Sequence, residues 1–304
     1  MKNLIKIPDI GQDKSLGNSI GALLNIINQT THLSLPIVWD FAEMKSLNRF
    51  FLGALAIFKN TYSSDLIECI NMEKSLCENL EWFCFFHLMH LENKKTEAIQ
   101  ELISPYLNES FLPVCCFSMN DANKNDVEYL LRKVVLCQCG NSELRTPLSY
   151  FMSELIDNIN EHSCSKNGYF FSEYIKEKRL LNIVIADEGI TVKSSFENAD
   201  LFLNEIDNDE SEALRLANEG RSTKNLPEAE NRGYGIITTK KMLVDGLGGS
   251  FFMLSGGAFH RYEKGINYYA NVSDFLHWKG TIVMLRIPID IPASFNYIDY
   301  IENR

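Results

Sequence analysis

The sequence predicts an α/β protein made of two successive domains. Of its 304 residues, 45% are apolar and 23% are charged, which is ordinary globular composition. The length exceeds the roughly 100–200 residues of one domain. In both halves, short apolar runs typical of strands alternate with segments of helical spacing, and a polar stretch at residues 119–126 separates the halves. We therefore place the domains at residues 1–119 and 120–304.

The first domain reads as a small α/β unit. Apolar, β-branched runs favour strands, and apolar residues spaced three and four apart favour helices. In the first helix, for example, Ile20, Leu23, Leu24 and Ile27 fall on one face. The predicted strands are residues 3–7, 35–41 and 66–70, and the predicted helices are residues 19–27, 47–58 and 76–91.

The second domain has strong helices first and most of its strands later. The helix at residues 148–162 is amphipathic, and the polar residues 176–179 read as a turn between two strands. The predicted helices are residues 127–137, 148–162, 210–217 and 235–244. The predicted strands are residues 169–175, 180–186, 250–254, 266–271 and 281–287.

Charge and hydropathy exclude several classes of partner. The 29 basic and 40 acidic residues give a net charge of -11, which disfavours sequence-independent binding of nucleic acid. Apolar runs stay well below the roughly 20 residues of a membrane span. The first residues lack the apolar segment of a secretory signal, so we expect a cytoplasmic protein with reduced cysteines.

One helix carries a carboxylate and an amide with helical spacing. Glu154 and Asn158 are four residues apart and project from the same face, while Leu155, Ile156 and Ile159 supply the buried side. An amide oxygen can bind Mg²⁺, and a carboxylate can orient or deprotonate a nucleophile. A helix with a solvated polar face is the structural alternative.

An apolar strand ends in an acid and a glycine. Asp187 follows residues 181–186, and Gly189 comes two positions later. A carboxylate at a strand end can accept a hydrogen bond from the exocyclic amine of adenine, and a glycine lets backbone and base approach closely. An ordinary Asp/Gly turn is the structural alternative.

A polar stretch leads into a glycine pair that opens a helix. Gly233 and Gly235 stand at the helix start, where amide groups and the helix dipole favour phosphate. Upstream, Ser222, Thr223 and Lys224 could cover a phosphate as a lid. A simple helix cap is the alternative.

These segments, followed by Gly280-Thr281, resemble in order and type the motifs of the GHKL superfamily, the Bergerat-fold ATPases. The resemblance covers about residues 126–289 and implies a two-layer α/β sandwich that binds ATP and Mg²⁺. It implies Glu154 as catalytic base and Asn158 as Mg²⁺ ligand. The nucleotide-binding residues it implies are Asn158, Asp187, Gly189, Ser222, Thr223, Lys224, Arg232, Gly233, Gly235 and Thr281.

The expected function is Mg²⁺-dependent ATP hydrolysis or transfer of the γ-phosphate to a serine or threonine of a protein. The run at residues 154–162 is similar to that of bacterial anti-sigma-factor serine kinases and related histidine-kinase-like ATPase domains. The alternative is a non-catalytic, ATP-gated switch that controls binding of a partner. Either function implies a protein partner, and a homodimer is a further expectation.

Residues 40–55 resemble the core of STAS domains. Asp40, Leu52 and Gly53 match by position, while Arg49 and Phe50 occupy the positions of the two serines that include the phospho-acceptor. A STAS-like domain without that serine would act in binding or dimerisation.

A third hypothesis is a metal-binding regulator. Cys84, His87 and His90 are spaced to share one face of the predicted helix at residues 76–91. Buried side chains in an aromatic helix are the alternative.

Overall fold

The protein is described here by a computed structural model, which covers residues 3–12, 16–223, 234–273 and 275–301. The predicted α/β class is confirmed, with two sheets and helices packed on them. The N-terminal elements are β1 (Asn3–Lys6), α1 (Ile20–His32), β2 (Ile37–Asp40), α2 (Arg49–Tyr62), β3 (Ile67–Ile70), α3 (Lys74–Trp82), β4 (Met89–His90), α4 (Thr96–Ile103) and β5 (Phe111–Ser118). The remaining elements are α5 (Lys124–Cys139), α6 (Arg145–His162), β6 (Asn167–Ile175), β7 (Leu180–Asp187), α7 (Val192–Ala199), α8 (Leu203–Ile206), α9 (Glu210–Asn218), α10 (Tyr234–Lys241), β8 (Ser250–Gly256), β9 (Ala258–Glu263), β10 (Ile266–Asn271), β11 (Trp278–Pro288) and α11 (Ile298–Ile301).

The small sheet is parallel and has the order β1-β2-β3. Parallel neighbours need a crossover connection, and α1 and α2 supply it between successive strands. Ile5, Ile37, Trp39 and Ile67 are buried in this unit. Only β2 is buried along most of its length, whereas Leu4 of β1 and Glu68 of β3 are exposed.

The large sheet has eight strands in the order β10-β9-β8-β11-β7-β6-β5-β4. Its pairs are antiparallel except β4 and β5, which run parallel. The predicted boundary between residues 119 and 120 falls between β5 and α5. The sheet therefore takes β4 and β5 from one side of that boundary and β6 to β11 from the other.

Opposite faces of the large sheet are covered by different helices. Side chains alternate between faces along a strand. Ile185 and Asp187 of β7 line a cavity together with residues of α6. The intervening Val184 lies with residues 48–50, where α2 begins, around a small crevice. The N-terminal part thus covers one face, and α6 with the cavity lies on the other.

The helix predicted over residues 76–91 is wrong beyond Trp82. After α3 the backbone turns through Cys84, which has a φ of 59°, and β4 follows. Phe83 packs edge-on against Phe111 and Phe171, whereas Phe85 packs on Phe41. The left-handed backbone at Cys84 stops the helix, because a residue in that conformation does not continue a right-handed helix. Cys84, His87 and His90 therefore do not share a helix face.

Candidate functional site

A cavity of about 510 Å³ lies between α6 and the large sheet. This volume falls within the range of small-molecule sites. Residues of α7 and of the chain around α9 and α10 line its other sides. The predicted site residues that line it are Glu154, Asn158, Asp187, Ser222, Thr223, Gly235 and Thr281.

Helix α6 contributes Glu154 and Asn158 to the cavity, as their spacing predicts. Leu155, Ile156 and Ile159 are buried beneath them. The apolar positions fix the helix on the sheet, so the two polar side chains are held on the cavity side. The predicted amphipathic helix is confirmed and begins earlier, at Arg145.

Asp187 stands at the end of β7 with 2% of its surface exposed. Burial raises the pKa of its carboxyl group to about 7, although backbone hydrogen bonds from Gly189 and Thr281 act in the opposite direction. The Gly189 amide donates to Oδ1 at 2.8 Å. A buried carboxyl group in the wall of a cavity is a candidate for specific recognition.

Two glycines let the backbone close around Asp187. A Cβ at Gly189 would lie 1.9 Å from the carbonyl oxygen of Ser163. A Cβ at Gly280 would lie 2.5 Å from the carbonyl oxygen of Asp187, and Gly280 has a φ of +88°. Glycine is therefore required at both positions. Gly189, expected to give a base access, is not one of the residues that line the cavity, and its amide donates to Asp187.

Thr281 is held by a serine that sequence reasoning missed. Its Oγ1 lies 3.1 Å from Oγ of Ser255, which is the opposite residue on β8. Ser255 also accepts a hydrogen bond from the Val192 amide at the start of α7. Only the strand register brings these residues together, so a local motif could not reveal Ser255.

Thr223 forms part of the polar rim of the cavity. Its Oγ1 lies 2.8 Å from Nδ1 of His162 and 3.1 Å from Oγ of Ser195. His162 is the last residue of α6 and was not predicted as a site residue. Its position on the same helix, eight residues after Glu154, could have indicated that it lies near the cavity.

Lys224, Arg232 and Gly233 lie outside the described residues. Thr223 and Tyr234, the residues on either side of that segment, both line the cavity. The two described residues that flank residues 224–233 therefore both lie at the cavity. The predictions for these three residues stay predictions.

Gly235 lies directly against Glu154. A Cβ at this position would be 1.7 Å from Oε2 of Glu154. Gly235 belongs to the first turn of α10, where the helix dipole favours negative charge. The carboxylate of α6 and the start of α10 therefore form one wall.

A buried polar chain fastens α10 to α9 beside the cavity. Nζ of Lys240 donates to the carbonyl oxygen of Asn218 at 2.9 Å, and Asn218 Oδ1 lies 3.1 Å from Nδ1 of His260. Nε2 of His260 lies 2.9 Å from Oδ1 of Asn267. Burial lowers the pKa of Lys240 to about 7 and that of His260 to about 3. These residues hold the chain on both sides of residues 219–239.

Comparisons of the chain with protein-family models, with curated proteins and with solved structures found no match. Across the described ranges, every helix is too short or too polar to cross a lipid bilayer. The chemistry of the site therefore rests on its geometry. The cavity offers a buried carboxyl group, an amide beside a carboxylate, and a helix start.

Proposed function

We propose that this cavity binds ATP with Mg²⁺ and that the chain is a Bergerat-fold protein of the GHKL superfamily. The supporting observation is convergence: segments far apart in the sequence line one cavity. These segments are α6, the end of β7, residues 221–223 and 234–235, and the start of β11. Chance motif matches have no reason to meet in space.

Asp187 would read the adenine. Its carboxyl group lies in the wall of the cavity and can accept a hydrogen bond from the exocyclic amine. Guanine carries a carbonyl oxygen at the equivalent position and cannot donate there. A buried polar group left without its partner costs about 1–3 kcal/mol, so the site should favour ATP over GTP.

Asn158 would hold Mg²⁺ through its amide oxygen, since Mg²⁺ takes oxygen ligands and keeps several waters. Glu154 lines the same cavity, so a bare triphosphate would meet negative charge there. The ion would reduce that repulsion. The start of α10 offers backbone amides to a phosphate, and Lys224 and Arg232 would add positive charge.

Glu154 would act as general base in ATP hydrolysis or in transfer of the γ-phosphate to a protein serine or threonine. It shares the cavity with Asn158 and can take the proton of a water or hydroxyl group placed there. The proposal includes a protein partner, a homodimer and a cytoplasmic location. Nucleic acid and membranes are not among the expected partners.

The contact between Glu154 and Gly235 favours a second candidate function. A carboxylate that packs against the first turn of α10 can stabilise one position of that helix. In this version the protein is a switch whose partner binding depends on ATP, and Glu154 braces α10 without activating a nucleophile.

The binding proposal is tested by calorimetric titration with ATP and GTP in the presence of Mg²⁺ or of a chelator. We expect ATP to bind about 5–150-fold more tightly than GTP, and only with Mg²⁺ present. The Asp187→Asn variant should lose most of the preference for ATP. Equal affinity for both nucleotides would overturn the assignment of Asp187.

Turnover separates the enzyme from the switch. We expect Glu154→Gln to bind ATP but to lose about 10²–10⁴-fold in phosphate release or transfer. Glu143→Gln, at an exposed residue before α6, is the matched control and should keep full turnover. If the parent protein shows neither activity with its partner present, the enzyme version fails and the switch remains.

A further inference from the structure

A second cluster of chemically reactive side chains lies at the β4 edge of the large sheet. His90 belongs to β4 and pairs in register with Cys116 of β5. Glu92 follows two residues later. One ligand atom from each of these three residues lies within 4.8 Å of the others, and in the described part of the chain they form the one such group.

The cluster is closed on the side of the sheet and open on the other. Cys116 is buried with 2% of its surface exposed. The side chains of His90 and Glu92 are 59% and 22% exposed, and Nδ1 of His90 lies 2.6 Å from Oε1 of Glu92. Solvent therefore reaches the cluster from the His90 side, which gives an ion a path of entry.

Glu92 carries an unsatisfied atom. Its Oε2 is buried, and within the described ranges no donor forms a hydrogen bond of normal geometry with it, although the Cys116 thiol lies beside the carboxylate. A buried carboxylate oxygen without a donor is costly, and such atoms in folded proteins call for an explanation. A bound cation would satisfy it.

The donor set identifies the cation. A thiolate, an imidazole and a carboxylate together suit a borderline-soft ion such as Zn²⁺, whereas Mg²⁺ and Ca²⁺ take oxygen ligands. We infer that His90, Glu92 and Cys116 form a zinc site whose fourth position faces solvent. On binding, the Cys116 S–H bond gives its proton to water and an S–Zn bond forms.

Such a site would stabilise the β4 edge of the large sheet. Strand β4 has two residues and pairs only with β5 in the described sheet, so few backbone hydrogen bonds hold it. Zinc bound to His90, Glu92 and Cys116 would tie the chain around β4 to the buried strand β5. Metal binding would then raise the stability of the fold, since the three ligands are brought together in the folded state.

The test uses the full chain with Cys137→Ser and Cys164→Ser, which removes the two exposed thiols. This protein is equilibrated with Zn²⁺, passed through a desalting column and analysed for metal. We expect about one ion per chain, because three protein ligands and one solvent-facing position make up a single tetrahedral site. Co²⁺ in place of Zn²⁺ should give a thiolate-to-metal charge-transfer band.

His90→Ala should reduce the retained zinc to background, and Cys116→Ser should in addition remove the Co²⁺ band. His87→Ala, at an exposed histidine three residues away, is the matched control and should retain the ion. Because His90 is exposed, its substitution tests the site even if Cys116→Ser fails to fold. Equal zinc content in the parent and His90→Ala proteins, or equal loss in His87→Ala, would overturn the proposal.

A second readout is thermal unfolding with and without Zn²⁺. The melting temperature of the parent should rise with Zn²⁺ and not with Mg²⁺ at the same concentration, whereas His90→Ala should show no zinc-dependent rise. Stabilisation by Mg²⁺ alone would contradict the donor argument. None of these measurements involves ATP, so they are independent of the proposed function.

Discussion

At the scale of single residues, burial governs the chemistry of Asp187. The carboxyl group titrates near pH 7 in the folded chain because water is excluded from it. In the unfolded chain it titrates near its ordinary value of 3.8. Ionising a buried carboxyl group opposes folding, so stability does not explain why a carboxyl group occupies this position.

The pH dependence of stability follows from this shift. Between about pH 4 and pH 7 the unfolded chain releases the Asp187 proton while the folded chain retains it, so this residue lowers stability as the pH rises. Asp187→Asn has no such proton. The free energy of unfolding of the variant, relative to the parent, should therefore increase from pH 4 to pH 7 and level off above it. Urea unfolding at a series of pH values checks this, and parallel curves for the two proteins would contradict it.

Asn158 gives a test of the Mg²⁺ assignment at the same scale. Asn158→Ala should abolish the part of ATP affinity that depends on Mg²⁺ and leave the fold intact, because the side chain lines the cavity and is not part of the core. Asn160→Ala changes an exposed residue of the same helix and should bind as the parent does. Calorimetry with and without a chelator is the measurement. Undiminished affinity in Asn158→Ala would remove the residue from the metal site.

At the scale of elements, two helices carry a glycine as their second residue, in different surroundings. A Cβ at Gly235 in α10 would displace the Glu154 carboxylate, the end of a flexible side chain, whereas the position at Gly21 in α1 has nothing within 4 Å. Helices favour alanine over glycine by about 0.5–1 kcal/mol. The same substitution should therefore stabilise the fold more at Gly21 than at Gly235.

We expect Gly21→Ala to raise the free energy of unfolding by up to about 1 kcal/mol, and Gly235→Ala to raise it less and to weaken ATP binding, because the Glu154 carboxylate must move. With Glu154→Ala in place the carboxylate is gone, and Gly235→Ala should then stabilise as Gly21→Ala does. Denaturant unfolding of the single and double variants checks the coupling. Additive effects of Glu154→Ala and Gly235→Ala would show that the two residues do not touch.

The elements that could be predicted from the sequence are those with a local signal. Helix α6 and the pair β6 and β7 follow from the spacing of apolar residues and from the polar turn between the strands. Strands β5 and β9 were missed. Strand β5 is a continuous apolar run, which does not distinguish strand from helix, and β9 carries buried His260 among polar residues.

The residues of the candidate site likewise divide into those that could be predicted from the sequence and those that could not. Glu154, Asn158 and Asp187 could be predicted because each belongs to a short motif whose element type is readable. Ser255 and the buried chain from Lys240 to His260 could not, since strand register and helix packing create their contacts. The predicted C-terminal end of the aromatic helix is wrong, because Phe83 and Phe85 make tertiary contacts where the chain turns at Cys84.

At the scale of the whole molecule, the N-terminal part and the rest are joined by a partly buried ion pair. Nη1 of Arg49 in α2 donates to Oε1 of Glu173 in β6 at 2.9 Å, and the two side chains are 17% and 15% exposed. The guanidinium group also lies 4.3 Å from the ring centroid of Phe111 in β5. Because β5 and β6 are neighbours in one sheet, this contact links elements on both sides of residue 119.

We expect Arg49→Met to lower the free energy of unfolding by about 1–3 kcal/mol, between the values for exposed and buried pairs. Unfolding should remain one transition, with circular dichroism and tryptophan fluorescence changing together. Arg179→Met, which breaks an exposed pair with Asp290, should change stability little. Two separate transitions, with Arg49→Met moving only one, would show that the parts unfold independently.

The strand order has a consequence for how the chain is made. Strand β11 lies between β7 and β8, yet it is the last strand of the sequence. While the ribosome is still adding residues before Trp278, β7 has a partner on one side only. Its open edge is an apolar surface with free backbone hydrogen-bonding groups, the kind that chaperones cover and that aggregates recruit. The cavity wall that holds Thr281 is therefore completed only after β11 has been added, so the cavity does not exist in a nascent chain that stops before Trp278.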